Sequence, residues 1–268
     1  MKKSKFFLNK NSYVEFSPSN LTTDKRIILV RWNSAEGIIY LQRSKYKESF
    51  FLLANHFQPQ INPLYCGIAT TVILLNAMRL PKASAPSQKA LEVHKPIAMG
   101  GGIIHFPSYS QLTLLNHETD RIKPRSIINL ENITEVNTTD PNAFDPGLTL
   151  DELMKILEFY QTQVKINYAD KELKEGLAVF REDIKLTLSS VDRLIAVNFL
   201  GSQLGTTTGG HISPLGAYDE ETDSVLILDV AGYKNPWYWV PIEHLYGAMH
   251  ILSGDKYRGW LVVSDSIA

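Results

Sequence analysis

With one cysteine in 268 residues, the chain can form no internal disulfide and no cysteine-built zinc site, so the fold must stand on packing and suits a reducing compartment. A charge excess of either sign is also missing. The 27 Lys+Arg nearly balance the 28 Asp+Glu, which leaves no electrostatic footprint for nucleic acid or an anionic membrane. No apolar run approaches the roughly 18 residues of a membrane span. The basic start Met1–Lys10 carries only Phe6 to Leu8 as an apolar stretch and no small-residue cleavage site, so no export signal is read and the cytoplasm is the default location. His56, His94, His105, His117, His244 and His250 show no ligand spacing, and no structural metal is expected. What is present, 44% hydrophobic and 21% charged side chains, is the composition of a globular protein with one large or two fused cores. Its expected partner is a small molecule or a peptide.

The single cysteine, Cys66, stands where the polar loop Gln58-Pro59-Gln60 and its continuation give way to a helical pattern. Ile68, Val72, Leu75 and Met78 recur at helical spacing until Pro81 stops them. A thiol in the first turn of a helix meets unpaired N–H groups and the positive end of the macrodipole, which favour the nucleophilic thiolate. An isolated cysteine is more often a small buried hydrophobe. The rest of the chain argues for chemistry: His211 follows Gly209-Gly210, and Asp229 ends the apolar run Leu226-Ile227-Leu228. The order is Cys, His, Asp, and Cys66 and His211 lie 145 positions apart, within the roughly 130–150 of papain-like proteases. His211 is the expected general base and Asp229 its orienter, brought alongside by a hairpin through residues 219–223. An oxyanion needs two donors, the Cys66 backbone N–H and a side-chain amide from the preceding loop; Gln60 and Gln58 both qualify.

Around these residues the pattern predicts a polar surface arm over about residues 1–30 and short strands at Ile27–Val30 and Ile38–Leu41. Helices are predicted over Lys45–His56, 66–80, about 150–161 behind the capping box Thr149-Leu150-Asp151-Glu152, and roughly 171–189. Residues 81–104, with the triple glycine Gly100–Gly102, read as loop. Short apolar segments at 194–200, 211–218, 225–230, 237–240 and 260–263 read as an antiparallel sheet. The expectation is one α+β catalytic domain over 1–268, with a helical lobe to about residue 190 and a β lobe from about 190 to 268.

At Gln60–Thr70 with its Tyr65-Cys66-Gly67-Ile68-Ala69 centre, at Gly147–Leu153, and above all from Gly210-His211-Ile212-Ser213-Pro214-Leu215-Gly216 through Asp229-Val230-Ala231 to Trp239-Val240-Pro241, the chain resembles the phytochelatin synthases, papain-like enzymes that act on glutathione. The resemblance runs from about residue 35 to the end. It implies a papain-like fold, Cys66 as nucleophile, His211 as base, Asp229 as orienter and Gln60 rather than Gln58 as oxyanion donor. It also implies that Arg258 holds the γ-glutamyl part of the substrate, as a guanidinium suits a carboxylate. Two departures stand out. Plant members carry a second, cysteine-rich domain linked to metal-dependent synthesis, whereas no cysteine follows Cys66; and Gly232 replaces an arginine common in the family. Likeness to the short bacterial members implies that cleavage of glutathione to γ-Glu-Cys and glycine dominates over transfer to a second glutathione. No cofactor is required on this reading. Cadmium or zinc would enter as thiolate complexes of glutathione, as substrate or activator. A general papain-like peptidase and a thiol-peptide binding module without turnover are the alternatives, and a homodimer is one open state of assembly.

Overall fold

The structure, a computed structural model, describes residues 27, 29–80, 97–99, 102–104, 108–129, 147–206 and 209–266. Residues 1–26 and 28 of the surface arm, His94 and His105 lie outside the described residues, while Val30, at the end expected for the arm, is buried.

A seven-stranded sheet forms the centre, in the order β1 (Val30–Arg31), β8 (Tyr238–Pro241), β7 (Ser224–Ile227), β6 (Gly210–Asp219), β5 (Arg193–Leu200), β11 (Gly259–Asp265) and β4 (Thr162–Tyr168). Every pairing is antiparallel. With its helices this makes the chain α+β. The period-2 alternation of the strands divides the core in two. Leu194, Ala196, Leu226, Leu261 and Val263 join one apolar cluster, while their neighbours Ile195, Val197, Val225, Ile227 and Trp260 join the other.

The first face is covered by α3 (Cys66–Arg79) and α5 (Leu150–Phe159), the second by α6 (Leu173–Leu188) and α7 (Ile242–Met249). Helix α3 is buried on all sides, which explains why apolar residues fill its whole circumference rather than a stripe. Helix α5 starts at the full capping box, in which Thr149 Oγ1 accepts from Glu152 N–H and the Glu152 carboxylate accepts from Thr149 N–H. Gly176 lets α6 and α7 meet closely, since a Cβ there would lie 1.8 Å from the Tyr246 hydroxyl. Two elements that precede residue 190, β4 and α6, thus pack with the later strands.

Several local readings change. Ile38–Leu41 is not a strand but part of α1 (Ala35–Arg43), which the Ser34 side chain caps by accepting from Gly37 N–H. A short apolar run has no period of its own to tell helix from strand, and here the cap decides. The helix of 45–56 narrows to α2 (Glu48–Asn55). Within the expected loop of 81–104, β2 (Ile97–Met99) pairs with β3 (Gly102–Ile104), so the last residue of the triple glycine is a strand residue. The remaining short elements described are α4 (Arg125–Ile128), the 3-10 turns Thr119–Arg121 and Gly201–Leu204, and the ribbon β9 (Leu252–Ser253) with β10 (Lys256–Tyr257).

Candidate active site

Cys66 is the first residue of α3 and is buried. The first intrahelical bond runs from Ala69 N–H to the Tyr65 carbonyl, 2.7 Å, so the N–H groups of Cys66, Gly67 and Ile68 have no partner within the helix. The helix tip sits close against β6. A Cβ on Gly67 would come within 2.9 Å of Leu148 and 3.3 Å of Ile212, and Thr70 Oγ1 donates to the Ile212 carbonyl over 3.1 Å. This contact between helix and strand brings the thiol to the histidine one residue before Ile212.

His211, at the start of β6, is buried and donates from Nε2 to Asp229 Oδ1 over 2.8 Å. Ser213 Oγ lies 3.2 Å from the same nitrogen and accepts from Val230 N–H over 3.3 Å. Cys66 bears on His211 electrostatically as well. With Nε2 turned to Asp229, Nδ1 is the ring nitrogen left to meet the thiol. Burial alone would discharge this imidazole, but the Asp229 carboxylate and Cys66 outweigh it and raise its pKa to about 10.

Asp229 is fully buried. The hairpin expected through 219–223 is present, yet β7 ends at Ile227 and Asp229 lies beyond its last paired residue. Leu228 N–H donates to the Pro214 carbonyl over 3.0 Å and keeps the chain beside β6 past that point. A register shift between Leu215 and Ala217 accompanies this run.

Gln60 is buried beside the same segment, its backbone N–H donating to the Val230 carbonyl over 2.8 Å. Its side-chain Nε2 donates to the carbonyls of Asn62, 2.9 Å, and Pro63, 3.0 Å, and Oε1 is buried with no hydrogen-bond partner among the described residues. Gln58 makes no side-chain hydrogen bond among those described. Arg258, also buried, donates from Nη1 to Asn198 Oδ1 over 2.9 Å. Asn198 pairs across the sheet with Ile212, so this guanidinium lies on the sheet one strand from the helix tip.

Three further residues belong to the site. Tyr233, 58% exposed, has its hydroxyl 3.4 Å from Gln60 Nε2, and burial together with Cys66 and Asp229 pushes its phenol pKa up. Asn235 donates from Nδ2 to Asp229 Oδ2 over 3.1 Å. Gln111 brackets Gln60 on both sides: its Oε1 accepts from Ile61 N–H, 3.1 Å, and its Nε2 donates to the Pro59 carbonyl, 3.0 Å. None is legible from sequence spacing, because each acts across a turn or from a separate loop. Among the described residues no group of three or more His, Cys, Asp or Glu is placed to hold a metal ion, and no helix is long and apolar enough to cross a membrane.

Comparison with known proteins follows the same residues. Residues 23–96 and 113–260 match the family model described as phytochelatin synthase. Glutathione gamma-glutamylcysteinyltransferase 3 of Lotus japonicus is 29% identical over 219 residues, 81% of this chain and 38% of the relative. Glutathione gamma-glutamylcysteinyltransferase 1 of Arabidopsis thaliana is 28% identical over 243 residues, 88% of this chain and 41% of the relative. The Schizosaccharomyces pombe glutathione gamma-glutamylcysteinyltransferase is 25% identical over 212 residues, 79% and 41%. The chain therefore spans about two fifths of the length of these relatives. The family match takes in Gln60, Cys66, His211, Asp229 and Arg258 alike, and the chain belongs to the phytochelatin synthase family.

Proposed function

We propose that the chain is a papain-like cysteine acyltransferase that cleaves glutathione to γ-Glu-Cys and glycine through a Cys66 thioester. The acyl group passes mainly to water, and in part to a second glutathione to give phytochelatin. The observation that carries this reading is Cys66 on the first residue of α3, acting on a buried His211 that Asp229 holds, inside the span shared with the family. The relatives' names supply the substrate, since each denotes transfer of a γ-glutamylcysteinyl group.

In the acylation step His211 holds the proton that Cys66 has given up, and the Sγ thiolate attacks the cysteinyl carbonyl carbon of glutathione. The oxyanion is received by Cys66 N–H and Gln60 Nε2. A charged oxygen competes well with the Asn62 and Pro63 carbonyls that now engage this amide, because charge-assisted hydrogen bonds are about twice as strong as neutral ones. The C–N bond breaks as His211 returns the proton to the glycine amine. Water, or the amine of a second glutathione, then gives a proton to His211 while it attacks the thioester, and the C–S bond breaks to restore Cys66. Arg258 faces the γ-glutamyl carboxylate on this reading. Cadmium and zinc act as thiolate complexes of the substrate.

Mass spectrometry of products from the purified protein and glutathione, with and without cadmium and beside Cys66→Ala, tests the proposal. Glycine and γ-Glu-Cys are expected, with (γ-Glu-Cys)₂-Gly as the minor product, and none of them from the variant. Cleavage of casein with no preference for the γ-glutamyl linkage would replace the reading by a general peptidase. Tight glutathione binding without glycine release would replace it by a binding module.

A further inference from the structure

We propose that Asn235 is a positioning residue that keeps the Asp229 carboxylate aimed at His211, an inference that rests on the Cys66–His211–Asp229 reading above. The hydrogen-bond accounting at Asp229 carries it. The carboxylate is fully buried, and its two oxygens are served unequally. Oδ1 accepts both from His211 Nε2, 2.8 Å, and from Ala231 N–H, 2.8 Å. Among the described residues, Oδ2 accepts from Asn235 Nδ2 alone, 3.1 Å. A carboxylate only accepts, so the amide nitrogen is the end of Asn235 that faces it.

The amide is well anchored. Asn235 N–H donates to the Ala231 carbonyl over 3.1 Å, and Lys234 N–H to the same oxygen over 2.7 Å, which closes a turn two residues past Asp229. Pro236 confines the backbone of the residue before it to extended conformations. Trp237 then pins the segment among the rings of Trp32, Phe50 and Phe57, with centroids 5.3, 6.1 and 4.8 Å away. A flexible surface amide would give Asp229 little; one held from both sides fixes the plane of the carboxylate.

The groups that bear on His211 and Asp229 are Cys66, Tyr233 and the fully enclosed Tyr238, whose hydroxyl is near Asp229 but makes no hydrogen bond of ordinary geometry among the described residues. Taking the donor from Oδ2 leaves the carboxylate free to turn away from His211, so it supports a charged His211 less well. A less charged His211 supports a Cys66 thiolate less well.

The test exploits the single cysteine, because iodoacetamide can alkylate only Cys66 and needs no substrate. Alkylation rate is followed against pH in wild type, Asn235→Ala and the equally shaped Asn235→Asp. In both variants the midpoint is expected to rise by about one pH unit, and further in Asn235→Asp, where two carboxyl groups confront each other. Glycine release, measured separately, is expected to lose roughly ten- to a hundredfold in kcat with KM little changed. If Asn235→Ala is too unstable to assay, the isosteric variant carries the test. A midpoint that stays put or falls overturns the proposal, even if the melting temperature drops. Failure of the wild type to act on glutathione would overturn the proposed function and leave the alkylation result to stand on its own.

Discussion

His211 is the residue at which burial and charge are most opposed, and its protonation sets how the site responds to pH. Its pKa of about 10 in the folded protein exceeds the ordinary 6.5 expected of the unfolded chain. The folded state therefore holds this proton more tightly, and the stabilisation is fully present below about pH 6.5 and lost as pH rises through about 10. The melting temperature is expected to fall across that window more steeply in wild type than in His211→Gln, a comparison that cancels the tyrosines, lysines and other groups shared by both proteins. Equal slopes would mean that Asp229 does not hold a charged imidazole. The identity of Cys66, His211 and Asp229 as candidates was legible because each residue type is rare in its setting and the chain order is informative. Tyr233 and Asn235 were not, because a tyrosine and an asparagine in a turn after a strand are ordinary loop composition, and only the folded turn aims one at Gln60 and the other at Asp229.

Elements were legible where periodicity or capping is strong. The capping box of α5, the largely apolar α3 and the turn at residues 219–223 follow the sequence pattern within a few residues. Strand β4 escaped because it follows α5 directly, with Gln161 at a positive φ of 60° making the corner, a conformation seldom assigned to glutamine in advance. Helix α7 escaped because Pro241 reads as the end of a strand and also begins the helix that follows. Loops have no such signal, and this matters for Gln60, whose loop is shaped by Gln111 of another segment. If the bracket on Pro59 and Ile61 serves to place Gln60, Gln111→Ala is expected to lower kcat for glycine release by roughly tenfold in wild type and to cost little more in a Gln60→Ala background. Independent, additive losses in this double-mutant cycle would show that Gln111 only stabilises the loop.

At the scale of the whole molecule the sheet separates two cores with different duties. Helix α3 and Ile212 belong to the first cluster, while Phe180, packed on Trp260 at 4.7 Å and on Tyr246 at 6.5 Å, belongs to the second. The division into two faces could not be read from a helix-rich half followed by a strand-rich half, since α6 crosses to the far side of strands that come later in the chain. It predicts that stability and reactivity can be damaged separately. Phe180→Ala leaves a cavity in the second core and is expected to destabilise the protein by about 3–5 kcal/mol. Assayed below its melting temperature, it should keep the wild-type pH midpoint for Cys66 alkylation. Ile212→Ala removes a side chain that lies against Gly67, next to Cys66, so it is expected to cost about 2–5 kcal/mol and to move that midpoint as well. The contrast depends on position, because both are buried apolar truncations of similar cost. If Phe180→Ala moved the midpoint as far as Ile212→Ala does, the sheet would be transmitting strain between its faces and the two cores would act as one.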